Sequence, residues 1–367
     1  MPPLNLNKIN GSLQKGKTTY SGYSKEETYS LLLESILTND VHSCCYVSAE
    51  LLCTKSELNA IFVFIIDTLC IHYHSYNTQY ICEVVLKMRA LASLSRRNIQ
   101  RNPHAQQYLC EIVILLSTFL KEKNFHNEYI ERYSSKMNPN IESELYAVKL
   151  LNDINHWVHA QFKDFPFEIQ RYLHILYKFI KSNDKQQVIQ YANFLLVNTE
   201  LQGLVAQYEI DYEISTANKT DKNDIAMIIW KFILQYADQK MQDQTLKTYI
   251  SNLYYIYVFN YTKQKRPLRI MMIYNALLCI LTPTLFKHKS YEKTDLLIEE
   301  AKSKIYIIYD EIIGPQVLNA KPPISNKATK SSTISSTISS TISFANEPEK
   351  KVNNMDYLKM CICGENE

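Results

Sequence analysis

Residues Gly11 to Thr18 fit the phosphate-loop pattern G-x4-G-K-[ST], with Gly11, Gly16, Lys17 and Thr18 at its fixed positions. In such a loop the glycines let backbone N–H groups wrap phosphate. The lysine reaches the β- and γ-phosphates, and the hydroxyl holds Mg²⁺. Asp67, which follows the apolar run Ile61–Ile66, could be the second metal-holding carboxylate. A phosphate cradle also needs a buried strand before it and a helix opening directly after it. Here Leu4–Ile9 is polar at alternate positions, Thr19–Tyr23 breaks a helix, and no α/β pattern follows. Residues 1–23 therefore read as a flexible arm carrying an accidental match. Nucleotide binding through Gly11, Gly16, Lys17 and Thr18 ranks last among the functional readings.

Metal and nucleophile patterns are thinner. Asp153, His156 and His159 fall at i, i+3 and i+6 of a helix-length segment, without a fourth ligand or the zincin spacing. His72 and His74 straddle a helix end. Cys361 and Cys363 form one terminal pair with no second pair, and Cys44-Cys45 lacks the spacing of a redox motif. Seven of the nine cysteines sit in apolar blocks, and the N-terminus is too polar for a secretory signal. Reduced, buried thiols in a cytoplasmic compartment are the expectation. No Ser-His-Asp or Cys-His set can be assembled. No catalytic residue, metal or cofactor is expected, so the chain reads as non-enzymatic.

Three basic clusters could contact phosphates. They are Arg89, Arg96, Arg97 and Arg101; Lys263, Lys265, Arg266 and Arg269; and Lys287, His288, Lys289 and Lys293. The competing reading is cations at helix ends, where they oppose the helix dipole. With 40 Lys+Arg against 37 Asp+Glu, the whole chain is nearly neutral and does not itself demand nucleic acid.

The elements that would position these groups are helical. Gly203 is the one glycine between Tyr23 and Ile313, whereas β-hairpins lean on glycine at positive φ. Pro103, Pro139, Pro166, Pro267 and Pro283 all fall between apolar blocks. The stretch from Leu31 to Arg97 sets the pattern, with three apolar blocks separated by Asn39-Asp40, Ser56 and Asn77-Thr78, residues that start helices. Ile61–Ile66 alone resembles a strand, and its continuation to Ile71 makes it a central buried helix. The spacing predicts an all-α array or bundle of about 10–12 helices. These run at 25–38 (opened by a Ser24–Glu27 capping box), 41–54, 57–73, 78–95, 105–122, 141–160, 167–182, 185–199, 224–240, 244–262, 267–282 and 291–313. Residues 24–208 and 224–314 read as two helical halves joined by a polar linker at 209–223. Gly314-Pro315 should close the last helix, and 315–367 reads as a disordered tail with a short apolar block at Met355–Cys363. Ile270–Phe286 is uncharged for 17 residues. It is short of the ~20 needed to span a bilayer, and a buried helix without membrane insertion is expected.

Leu33, Ser35, Ile36, Asp40, Val41, Tyr46, Ala49, Leu51 and Leu52 carry a resemblance. Their spacing resembles the start of the helical collar domain in the replication-associated recombination AAA+ ATPases, the clamp-loader relatives that include the Werner-helicase-interacting protein. The likeness extends over about residues 33–80. The family's Gly and Pro after the third helix are replaced by Ser75–Thr78, and there is no room for the preceding AAA+ module. The resemblance implies an oligomerising collar without its motor, and no catalytic residue. The first functional reading is thus a helical interaction protein attached to DNA replication or repair machinery, with a protein partner or a second copy of itself. The A+T-rich residue usage suits a large DNA virus acting in the host cytoplasm. A nucleic-acid-binding helical protein using the basic clusters is the alternative.

Overall fold

The computed structural model describes residues 18–19, 22–54, 58–72, 78–95, 98–119, 143, 146, 154–207, 224–283 and 292–319. Among these residues the fold is all-α. The helices are α1 (Lys25–Leu37), α2 (Val41–Cys53), α3 (Leu58–His72), α4 (Thr78–Ser93), α5 (Pro103–Thr118), α6 (His156–Phe162), α7 (Phe167–Ser182), α8 (Lys185–Val197), α9 (Thr199–Val205), α10 (Ile225–Lys240), α11 (Gln244–Val258), α12 (Arg266–Leu281) and α13 (Glu292–Asn319). Two 3-10 turns, Ile99–Arg101 and Lys263–Lys265, lead into α5 and α12.

The helix starts follow from side chains that accept the free N–H groups of a first turn. Ser24 and Glu27 form the expected capping box, with Ser24 Oγ accepting from Glu27 N at 3.1 Å and Glu27 Oε2 accepting from Ser24 N at 2.8 Å. Asp40, Asn102, Asp184, Asn198, Asp224 and Asp243 cap α2, α5, α8, α9, α10 and α11 in the same way. Asparagine meets the shortage of glycine at three helix exits and at the start of the 3-10 turn Ile99–Arg101. Among the described residues the four non-glycine positions of positive φ are Asn39, Asn98, Asn183 and Asn260. Asparagine tolerates the left-handed region better than other side chains, because its short amide can bond locally.

Packing places α12 at the centre. It lies against α3, α8, α10 and α11, while α2 packs along α5 and α1, and α4 bridges α5 to α11. Twelve of its sixteen residues are buried, among them Ile270 to Cys279 without a break. A helix apolar on every side belongs inside a core, and α12 is buried by its neighbours. No helix among the described residues is long and apolar enough to cross a membrane. The helices on either side of 209–223 contribute to one continuous apolar core, and the compact unit ends at Gly314.

Three boundaries differ from the sequence reading. The helix expected over 141–160 is interrupted at Ile154 and Asn155, and α6 starts at His156 because Asn155 accepts from Trp157 N at 3.0 Å. A short helix, α9, follows α8 without a linker, since Asn198 ends one and caps the next. The last helix does not stop at Gly314-Pro315 but runs to Asn319. Proline removes one backbone donor from a helix and disfavours helical geometry in the residue before it, but glycine in that place has no Cβ to clash with the ring.

Candidate functional site

A network of charged and hydroxyl side chains lies where α3, α9, α10, α11 and α12 meet. Asp224 caps α10 and is wholly buried. Its Oδ1 accepts from Ala226 N at 3.0 Å and from Arg266 Nη1 at 2.9 Å, and its Oδ2 accepts from the Tyr261 hydroxyl at 2.8 Å. Tyr257 donates to the Tyr261 hydroxyl at 3.3 Å. Gln202 of α9 accepts from the same Arg266 nitrogen at 3.2 Å. One carboxylate thus joins the first turns of α10 and α12 to the end of α11. Burial pushes both phenols far above their ordinary range, and the Asp224 carboxylate beside them pushes the same way. Both hydroxyls therefore stay protonated donors.

Arg269 is the second centre. It is 0% exposed. Its Nη1 donates to Tyr257 O at 2.9 Å and to Phe259 O, the last carbonyls of α11. Nη2 faces Asp67 Oδ1 at 3.5 Å, an ion contact longer than a hydrogen bond. A buried guanidinium here closes the negative end of a helix. Asp67 is held above its ordinary value by burial, and Arg269 and Lys265 only partly oppose that. A third ion cluster ties α4, α5 and α13: Glu111 pairs with Lys87 and with Lys302 at 3.4 Å, and accepts from Gln107 at 2.9 Å.

The residues singled out from sequence distribute as follows. Gly11, Gly16 and Lys17 lie outside the described residues. Thr18 does not open a helix. It forms an antiparallel bridge with Ser24, closed by a Thr19–Tyr23 turn, and the helix begins only at Lys25. Asp67 faces Arg269. In the first basic cluster, Arg89 lies over the Tyr255 ring at 4.4 Å and Arg101 is exposed, while Arg96 and Arg97 lie outside the described residues. The second cluster does not form one surface. Lys263 is exposed and Lys265 half-buried, but Arg266 is committed to Asp224 and Arg269 is sealed in the core. These two arginines, expected at phosphate, hold helix ends instead, because each finds a carboxylate on another helix. Lys287, His288 and Lys289 lie outside the described residues, as do the side chain of Lys293, the tail beyond Asn319 with Cys361 and Cys363, Asp153, His74 and the 209–223 segment. His156 and His159 are exposed, and His159 Nδ1 is 2.9 Å from Gln170 Oε1. Among the described residues no three His, Cys, Asp or Glu side chains converge on a possible metal position.

Sequence reading missed Asp224, Tyr257, Tyr261, Gln202 and Glu111 as network members. Asp224 carried a signal, an acid directly before an apolar helix, which marks a cap. Its pairing with Arg266 over 42 residues of separation carried none. Comparison of the chain with protein-family models, with curated proteins and with solved structures returned no match.

Proposed function

We propose that the chain is a helical interaction module, which assembles with a protein partner and most directly with a second copy of itself. One observation carries this reading. Helix α13 buries one apolar face and carries two exposed apolar side chains on another. Ile298, Ile305, Tyr309 and Ile312 enter the core, while Leu296 and Tyr306 are 71% and 58% exposed. Leu296, Glu299, Ser303 and Tyr306 follow one another at i, i+3, i+7 and i+10, the spacing of a stripe that can lie against another helix. Apolar residues on a solvent-facing stripe gain from being covered, at about 25 cal/mol per Å². The resemblance of residues 33–52 to an oligomerising collar supports the same reading and makes DNA replication or repair its setting. Four of the charged groups, Asp224, Arg266, Arg269 and Glu111, are paired within the fold.

Sedimentation velocity of the full chain tests the reading. The wild type should sediment faster as concentration rises. Leu296→Asp and Tyr306→Asp should hold it at the monomer value with an unchanged helical circular dichroism spectrum. A wild type that stays monomeric across a hundredfold concentration range, and sediments as the variants do, would remove the support for assembly. DNA binding with a steep salt dependence would then favour the nucleic-acid alternative.

A further inference from the structure

Cys45 of α2 and Cys110 of α5 are 65 residues apart in sequence, and their Sγ atoms lie 3.2 Å apart. Both side chains are buried, and both belong to a pair of helices packed along their length. Cys44, the neighbour in sequence, sits about 100° round the helix from Cys45. Tyr309 of α13 lies beside the pair and beside Cys53, and these neighbours add to the burial that pushes its phenol well up.

We propose that Cys45 and Cys110 are a reversible disulfide site, a covalent staple between α2 and α5 formed by exchange with a small-molecule disulfide. Bond formation has to draw the sulfurs together by only about 1 Å, so the packed helices need not part. The exchange balances. One thiol gives up its proton, and its thiolate attacks a sulfur of the small disulfide, expelling one small thiolate that takes up a proton. The second protein thiolate then attacks the protein sulfur of the mixed disulfide and expels the second small thiolate, which is protonated in turn. Two protein thiols and one small disulfide become one protein disulfide and two small thiols, with two electrons passed to the small molecule. The hydrogen bond shared with Cys45, followed by burial, holds the Cys110 thiol well above its ordinary range. Exchange on the closed fold is therefore slow in both directions and proceeds through local opening of the helix pair.

The test uses the full chain, equilibrated with mixtures of oxidised and reduced glutathione, quenched with acid, unfolded, alkylated and mapped by peptide mass spectrometry. A Cys45–Cys110 cross-linked peptide should appear as the dominant cystine among the core cysteines and disappear on reduction. The oxidised protein should melt about 5 °C above the reduced one, as expected for closing a long loop. That difference should vanish in Cys45→Ala and, separately, in Cys110→Ala. The proposal is overturned if all seven core cysteines alkylate after equilibration in the oxidised buffer, or if the core cystine joins other positions. Because the mapping is done on the wild type, it decides the matter even if a variant fails to fold.

Discussion

Replacing Asp224 with alanine probes the most connected buried side chain of the fold. Three losses follow from the geometry. The N-terminus of α10 loses its cap to Ala226 N, which costs about 1 kcal/mol. The Tyr261 hydroxyl, buried and no longer donating to this carboxylate, contributes roughly a further 1 kcal/mol. Arg266 keeps Gln202 as a partner but loses its counter-ion. Breaking a buried pair costs about 3–5 kcal/mol. The Arg266 side chain is 27% exposed, so water recovers part of that, and about 1–2 kcal/mol is the fitting share. The sum is about 3–4 kcal/mol, a large fraction of the ~5–15 kcal/mol that holds a native domain. Asp224→Asn retains an oxygen for the cap and removes only the charge, so roughly half of that loss is expected. Urea titration followed by circular dichroism reads both, as a lower midpoint at an unchanged slope. A double-mutant cycle with Arg266→Ala should return a coupling of about 1–2 kcal/mol. A loss below about 1 kcal/mol for Asp224→Ala, or a coupling indistinguishable from zero, would refute the claim that this carboxylate ties α10, α12 and the end of α11 together.

Two further outcomes are expected. Burial tends to raise the Glu111 carboxyl, but hydrogen bonds from Lys87 and Gln107 and the charges of Lys87 and Lys302 outweigh it and hold it below its ordinary value. A carboxyl lowered in the folded state adds stability that is present above its unfolded value and lost as pH falls through the folded one. The urea midpoint should therefore drop from about pH 5 to about pH 3, and Glu111→Gln should lower the midpoint at neutral pH and flatten that acid limb; an unchanged limb would place the acid sensitivity elsewhere. At Asn183, whose φ is 56°, Asn183→Gly should be nearly neutral, while Asn183→Val should lower stability by about 1–2 kcal/mol in the same titration; equal midpoints for the two would show that the left-handed exit of α7 is not needed.

The fold class was legible in the sequence because it rests on local physics. Scarce glycine, prolines confined to block edges, and caps such as Ser24, Asp40 and Asp184 act within a few residues, so a linear reading finds them. The same locality governs the end of the phosphate-loop match, where Thr18 pairs with Ser24 in an antiparallel bridge and the helix begins at Lys25. Where the reading failed locally, a single side chain decided the outcome, as when Asn155 restarted a helix inside 141–160. The fate of the basic residues was not legible at all. Arg266 and Arg269 sit in a run that looks like any solvated cluster, yet three residues separate an arginine whose side chain is 27% exposed from one that is wholly buried. What distinguishes them is the arrival of Asp224 and Asp67 from helices 42 and 202 positions away, which only packing around α12 brings about. The meeting of Cys45 with Cys110 has the same origin. Local propensity fixes which residues become helix, but long-range burial decides which charges and thiols face one another, because a buried charge or sulfur takes its partner from whatever the neighbouring helix presents.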